Sequence, residues 1–513
     1  MATSRGCPGI QQVRVMRADS HSEPITVQIL HTNDMHGALL PLDDRSILGH
    51  KARLGGSACL CSLIAEKRSE HPESTLLLDA GDSVHGRAET DLDEGRPMVD
   101  VMNHLHYDAG TIGNHDFQWG VPTMFERMDS SNYPYLVANV EQTNGSEMPN
   151  TQPYKIFERE GVKIGVVGLL TKATEVQQRA DRLQGVHIES QKAALGRLLP
   201  EMKKAGADVI VVLTHVGLAG DEELARAFPD QNLFFVGGHS HDRIAKPIEV
   251  AGNHIVQAGA FSKELGVLTI ELDPGSRAVV GVDHQLIPVD PQTIPGDQEV
   301  AKLVERYRAE AEMQLGRQVT TLGHAITRSG QTDSRMGNLV TDAMREAAEK
   351  QSGRKVDLAF MNSDGLRTEL DSGPVTLGDL YEMMPFGGEL MVGSVRGDAI
   401  LRALEHSVKH RPDPDDWHTP FLQMSGAEIE YAGDRLLGAT IDGQPIDAQK
   451  TYTVALEDYL THGGLGYTSF KEGDYEDASM TINDAVRDYF VDGLFNEEAT
   501  AGGQRIHDLT TGK

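Results

Sequence analysis

The chain has 513 residues, 39% of them apolar, and a formal net charge of −30. That length exceeds one ordinary core, so two domains are expected, and the composition is that of a globular protein. The charge argues against a nucleic-acid polymer or an anionic membrane surface as partner, and an anionic substrate would need locally placed cations.

The three cysteines, Cys7, Cys59 and Cys61, are poor material for a disulfide framework. The first 24 residues hold no apolar stretch long enough for a signal-peptide core, and no segment approaches the roughly 18 consecutive apolar residues of a membrane helix. A cytoplasmic setting is the expectation, replaced by a secreted or periplasmic one if a leader was removed.

In chain order, residues 1–24 lack periodicity and read as a flexible arm. From 25 to 294, short apolar runs alternate with amphipathic stretches. Strands are expected at Val27–Leu30, Thr75–Leu78, Lys163–Leu169, Asp208–Leu213, Leu233–Val236 and Val267–Leu272. Several are continuously apolar, as in sheets covered on both faces. Helices are expected at Gln191–Lys204 and Asp221–Ala227, giving a layered α/β domain. Residues 295–316 place Val300, Leu303, Val304, Tyr307, Ala311 and Leu315 on one helical face, a connecting helix and candidate hinge. A second α/β domain follows over 317–513, with helices at Met336–Lys350 and Gly397–Lys409 and strands at Lys355–Phe360 and Thr451–Ala455.

The ends of the first domain's strands carry the chemistry. "HTNDMHG" offers Asp34 and His36, "DAGDSVHG" Asp82, "GTIGNHDFQWG" Asn114 and His115, "THVG" His215, and "GGHSH" His239 and His241. Singly, each is an ordinary turn or strand-end residue. As a set they sit where loops of a layered α/β fold converge on one crevice. Asp34, His36, Asp82, Asn114, His215, His239 and His241 are too many ligands for one ion. They suit two ions roughly 3.5–4 Å apart with a shared carboxylate, an arrangement that lowers the pKa of a bridging water and stabilises an in-line displacement. Mixed imidazole and carboxylate ligands favour Mn, Zn, Fe or Co over Ca or Mg.

The ordered series DxH, GDxxxG, GNHD, a strand-end His and GHSH resembles the calcineurin-like metallophosphoesterases, and most closely their 5′-nucleotidase branch, over about residues 26 to 490. The resemblance implies a four-layer α-β-β-α catalytic domain followed by a smaller α/β substrate-binding domain. It implies Asp34, His36, Asp82 and His241 around one metal, and Asp82 again with Asn114, His215 and His239 around the other. His241 stands where the branch often has Gln. His115 matches a histidine that steadies the leaving group.

In the second domain, "MNSDGLRTEL", "MPFGG", "FLQMSG" and "YLTHGGLGY" resemble the branch's substrate pocket. The likeness implies Arg367 on phosphate, where a planar fork suits an oxyanion. It implies Asn362 near the substrate, and Phe421 and Tyr459 sandwiching a base, with Gly463 and Gly464 in the adjoining turn. Read without the resemblance, both aromatics are ordinary core residues.

Three positions depart from the branch's pattern. Leu465 replaces the Asp that binds ribose hydroxyls, and leucine accepts no hydrogen bond. Thr332 replaces an arginine, with Arg335 the nearest substitute. Gln118 replaces the carboxylate that orients the catalytic histidine, so it can hold the ring without favouring its cation.

The expected activity is dimetal-dependent phosphoester hydrolysis, with nucleoside monophosphates the leading substrate class. A 2′,3′-cyclic nucleotide, a nucleotide sugar or a non-ribose phosphoester are alternatives. Hydrolysis of a sulfur oxyanion conjugate and a non-catalytic ligand-binding role are further readings.

Overall fold

The computed structural model describes residues 23–44, 46–178, 182–329, 333–385, 387–410, 421–496 and 505–510. Cys7, Thr332, Phe386 of "MPFGG", and the expected arm up to residue 22 lie outside the described residues.

The N-terminal part is built on two sheets. One runs, across its width, Val279–Pro288, Glu264–Leu272, Ile25–Thr32, Thr75–Asp79, Ala109–Gly110, Tyr135–Leu136 and Thr151–Gln152. The other runs Ile248–Val250, Asn253–Val256, Leu233–Val236, Val209–His215, Val162–Leu170 and Tyr154–Arg159.

Side chains alternate across each strand, and the alternation sorts the core into layers. Val27, Ile29, Leu76 and Leu78 pack between the sheets against Val166, Val211, Leu213 and Phe234. Leu30 and Leu77 face outward under Leu60, Leu63, Met98 and Met102 of two helices. Val212, Phe235 and Leu169 face out on the other side, under Leu195, Leu198 and Met202 of the helix Gln191–Lys204. The result is the expected α-β-β-α stack.

The strands Ile25–Thr32 and Thr75–Asp79 are parallel, as are Val162–Leu170, Val209–His215 and Leu233–Val236. Their carboxyl ends therefore emerge along one rim, and every loop with a candidate ligand starts there.

The C-terminal part centres on a five-stranded sheet, in the order Leu422–Ser425, Leu358–Asn362, Thr451–Glu457, Glu389–Arg396 and Asp474–Thr481. The helix Arg335–Ser352 covers one face through Leu339, Ala343 and Met344. The helix Gly397–Lys409 covers the other through Ile400, Ala403 and Leu404.

The connecting helix spans Gln298–Leu315, capped by Asp297, whose side chain accepts from the Glu299 and Val300 amides at 2.9 Å each. It is docked along the N-terminal part, where Val300, Val304 and Tyr307 belong to the outer core. Among the described residues no helix is long and apolar enough to cross a membrane.

Candidate active site

The loops that leave the rim are stitched by their backbones. Asp34 N–H donates to the Gly81 carbonyl at 2.9 Å, His36 N–H to Asp82 at 3.0 Å, and Gly217 N–H to Gly238 at 3.1 Å. Five of the seven candidate ligands hold left-handed backbone: Asp34 (φ 49°), His36 (47°), Asp82 (55°), His239 (79°) and His241 (58°). Non-glycine residues reach that region at a cost of order 1–3 kcal/mol each and persist where the surroundings impose it, typically at working sites. The adjacent glycines clear space for these ligands: a Cβ on Gly113 would sit 2.1 Å from Asp82 Oδ1, and one on Gly238 3.1 Å from Asp34 Oδ2.

Asp34, fully buried, is aimed by Asn33 and by the His239 amide. Asn33 Nδ2 donates to Asp34 Oδ2 at 2.7 Å and to the Gly259 carbonyl at 2.6 Å, and the His239 N–H reaches Asp34 Oδ2 at 2.9 Å. Asp34 Oδ1 faces three imidazole nitrogens, those of His241 at 3.4 Å, His36 at 3.8 Å and His215 at 3.9 Å. His215 Nε2 is also 3.0 Å from Asp82 Oδ2, and among the described residues it forms no aligned hydrogen bond. Two sets emerge with ligand atoms all within 4.8 Å of one another: Asp34, His36 and His241, and Asp82, His215 and His239. Asn114 joins the second through His239 Nδ1, 2.8 Å from its Oδ1.

The imidazoles are prepared for coordination. His36 Nδ1 lies 2.9 Å from the His85 carbonyl and His215 Nδ1 2.7 Å from the Ala80 carbonyl. Each Nδ1–H donates there, which leaves each Nε2 facing the carboxylates, as outer contacts do for metal-binding histidines. Burial, then the neighbouring His241, holds His36 down at about 3, and burial, then His215, holds His239 at about 4. Burial opposes charge on Asp34, but His241 and His215 outweigh it and hold the carboxyl at about 2. Burial likewise opposes an imidazolium at His215, yet Asp82 and Asp34 push it up to about 10. The site favours positive charge between its carboxylates, and its donor set fits divalent cations.

His115 follows Asn114 directly, and its amide donates to Asp82 Oδ1 at 2.7 Å. Its ring stands edge-on to His36, with ring centres 5.4 Å apart. His115 and Gln118 line a cavity of about 330 Å³ together with His36, Asp82, Asn114, His239 and His241. The opposite wall comes from the C-terminal part: Asn362, Asp364, Arg367, Glu457, Asp458 and Tyr459.

On that wall the sequence expectations divide. Asn362, Arg367 and Tyr459 face the ligand sets. Phe421 does not: it is completely buried under the helix Gly397–Lys409, and its carbonyl accepts from Ser363 N–H and Oγ–H, at 2.9 Å each. Of the expected aromatic pair, Tyr459 alone lines the cavity, because Phe421 completes the core. Arg335 is also outside the cavity lining, its Nη1 donating to the Ala325 carbonyl at 3.4 Å. Gly463 and Gly464 support the wall from behind, since a Cβ on Gly464 would meet the Tyr459 ring at 2.6 Å. Leu465 turns into the core behind them, and its carbonyl accepts from His406 Nε2 at 2.9 Å.

Sequence reasoning missed Asp364 and Glu457. Asp364 Oδ2 lies 3.3 Å from Arg367 Nη2, and Glu457 accepts from Asn362 Nδ2 at 2.8 Å. Burial, then the Asp458 and Asp364 charges, pushes Glu457 up to about 8. Its position two residues before Tyr459 was the only available signal.

Residues 27–243 match the family described as calcineurin-like phosphoesterase, and residues 315–472 match the 5′-nucleotidase C-terminal domain. Protein 5NUC of Lutzomyia longipalpis is 30% identical over 503 residues, covering 86% of each chain. The 5′-nucleotidase of Bos taurus is 28% identical, over 88% of this chain and 85% of its own. The crystal structure of a 5′-nucleotidase precursor from Thermus thermophilus superposes with a TM-score of 0.77 at 25% identity, over 94% of this chain and 99% of that one. The likeness extends over most of the length of each of these proteins. The chain belongs to the 5′-nucleotidase branch of the calcineurin-like metallophosphoesterases, metal-dependent phosphoester hydrolases.

Proposed function

We propose that this chain releases phosphate from nucleoside monophosphates or closely related phosphoesters. The supporting observation is one cavity with two opposed walls, a carboxylate–imidazole wall and a wall holding Arg367, Asn362 and Tyr459. In this reading Asp34, His36 and His241 hold one divalent ion, and Asn114, His215 and His239 the other, with Asp82 shared. When bound, such ions neutralise phosphoryl oxygens and supply an ionised water at neutral pH. Arg367 grips the phosphate through its guanidinium fork, Asn362 bonds the substrate beside it, and Tyr459 stacks on the base. His115, kept neutral by burial at ordinary pH, orients the departing oxygen, and Gln118 sits beside it on the cavity wall.

A second substrate reading has its own support. Leu465 offers no side-chain acceptor for ribose, and among the described residues Tyr459 is the one Phe, Tyr or Trp that lines the cavity. A phosphoester with a smaller or non-ribose leaving group meets both conditions. The test is phosphate release from AMP, UDP-glucose, a 2′,3′-cyclic nucleotide and a small alkyl phosphate, with manganese, for wild type and Asp82→Ala. Manganese-dependent turnover that Asp82→Ala abolishes supports hydrolysis, and the ranking of substrates decides between the two readings. No turnover on any phosphoester refutes both.

A further inference from the structure

Gln118 stands where the sequence pattern has a carboxylate for His115, and the His115 ring has a neighbour of another kind. The buried ring of His85 lies beneath it, with centres 5.4 Å apart and planes at 10°. His85 is fixed in turn: its Nε2 lies 3.5 Å from Asp91 Oδ2, and it packs edge-to-face with Trp119, ring centres 5.3 Å apart. Asp91 is buried and held from two directions. The Gly86 N–H donates to Oδ1 at 3.1 Å, and the Tyr381 hydroxyl donates to Oδ2 at 2.9 Å. Tyr381 lies on the helix Leu377–Met383 of the C-terminal part, 290 positions along the chain. One carboxyl oxygen thus contacts a residue of the substrate-binding part and the ring that backs His115.

We propose that Asp91 and His85 are positioning residues for His115, and that Tyr381 engages them when the C-terminal part is docked. The physical reason is rotational. A ring stacked on another can slide and spin, and anchoring His85 Nε2 through Asp91 removes that freedom. Misplacing a catalytic group by about 1 Å costs up to about 100-fold in rate, so modest loosening is measurable. His36 is held by the His85 backbone carbonyl, and altering Asp91 or Tyr381 leaves that contact in place.

This inference rests on His115 steadying the leaving group, and leaving-group dependence tests it. Tyr381→Phe removes one hydroxyl, and Asp91→Asn keeps an acceptor oxygen, so both are suited to retain the fold. Each variant, with His115→Ala as reference, is assayed on a nucleoside monophosphate and on nitrophenyl phosphate, whose good leaving group needs little assistance. Metal content and melting temperature are measured alongside.

The expected result is a kcat on the nucleotide lowered about 3- to 30-fold in both variants, with KM within two-fold, full metal content and nitrophenyl phosphate turnover near wild type. Equal losses on the two substrates in Tyr381→Phe and Asp91→Asn, or no loss in either, overturn the proposal while His115→Ala still shows a leaving-group-selective loss. Should His115→Ala itself show no such selectivity, the role assigned to His115 falls, and this inference with it.

Discussion

His36 Nε2 and His241 Nε2 lie 3.1 Å apart, ring to ring at 61°, with Asp34 Oδ1 beside both. One Nε2–H bridges the pair at that distance, and a shared cation would take the place of that proton between the two nitrogens. His241→Ala should therefore sharply reduce the rise in melting temperature that manganese produces over chelator-treated protein, since that rise reports cation affinity. Phosphoesterase activity should fall by at least about 100-fold. Parallel thermal melts with and without manganese check this, and an unchanged manganese shift contradicts it.

Gly113→Ala probes the space reserved for Asp82. The added methyl group would meet Asp82 Oδ1 at 2.1 Å, far inside contact, and the carboxylate must move. We expect destabilisation of about 1–3 kcal/mol in urea unfolding and reduced metal content at fixed manganese. A variant that binds metal as tightly as wild type would show that Asp82 does not need its observed place.

Arg367→Lys keeps the charge and removes the fork. A planar guanidinium can make two parallel bonds to a phosphate, and an ammonium cannot. KM should rise about ten-fold with little change in metal content, as measured by steady-state phosphate release. An unaltered KM would move phosphate recognition elsewhere on the wall.

Glu457 predicts a pH dependence with a definite sign. Its carboxyl is pushed up to about 8 from an ordinary value of 4.5, chiefly by burial, so it is neutral below that pH and negative above it. Deprotonation places charge near Arg367 and the incoming phosphate, so KM should climb as pH rises through about 8, and Glu457→Gln should remove the climb. The linkage for folding runs the same way: the folded state binds more protons between pH 4.5 and 8, so this group's contribution to stability declines as pH rises through that window. Steady-state kinetics from about pH 6 to 9 test the first claim, and urea unfolding at the same pH values tests the second. Identical profiles for the two proteins would contradict both.

Much of the rim was legible in the sequence, because parallel strands buried on both faces are uninterrupted apolar runs and each leads into a loop with a candidate ligand. The helices Gln191–Lys204 and Gly397–Lys409 lie where the periodicity put them. Edge strands such as Val279–Pro288, half exposed and paired antiparallel to Glu264–Leu272, have mixed polarity and gave no comparable signal. Phe421 shows the limit on the substrate wall. A motif locates a residue along a strand, but whether its ring fills a core or faces a cavity depends on how the helix above it packs. Asp91 and Tyr381 were invisible for a related reason, since each matters only through a contact made across 290 positions of chain.

The connecting helix is anchored on the N-terminal part. Val300, Val304 and Tyr307 are embedded in the N-terminal core, and the Tyr307 hydroxyl is bonded to Asp100. The rod from Gln298 to Leu315 is consequently seated on the N-terminal core, and we expect any reorientation of the substrate-bearing half to be taken up at the short stretch beginning at Gly316, where the helix ends.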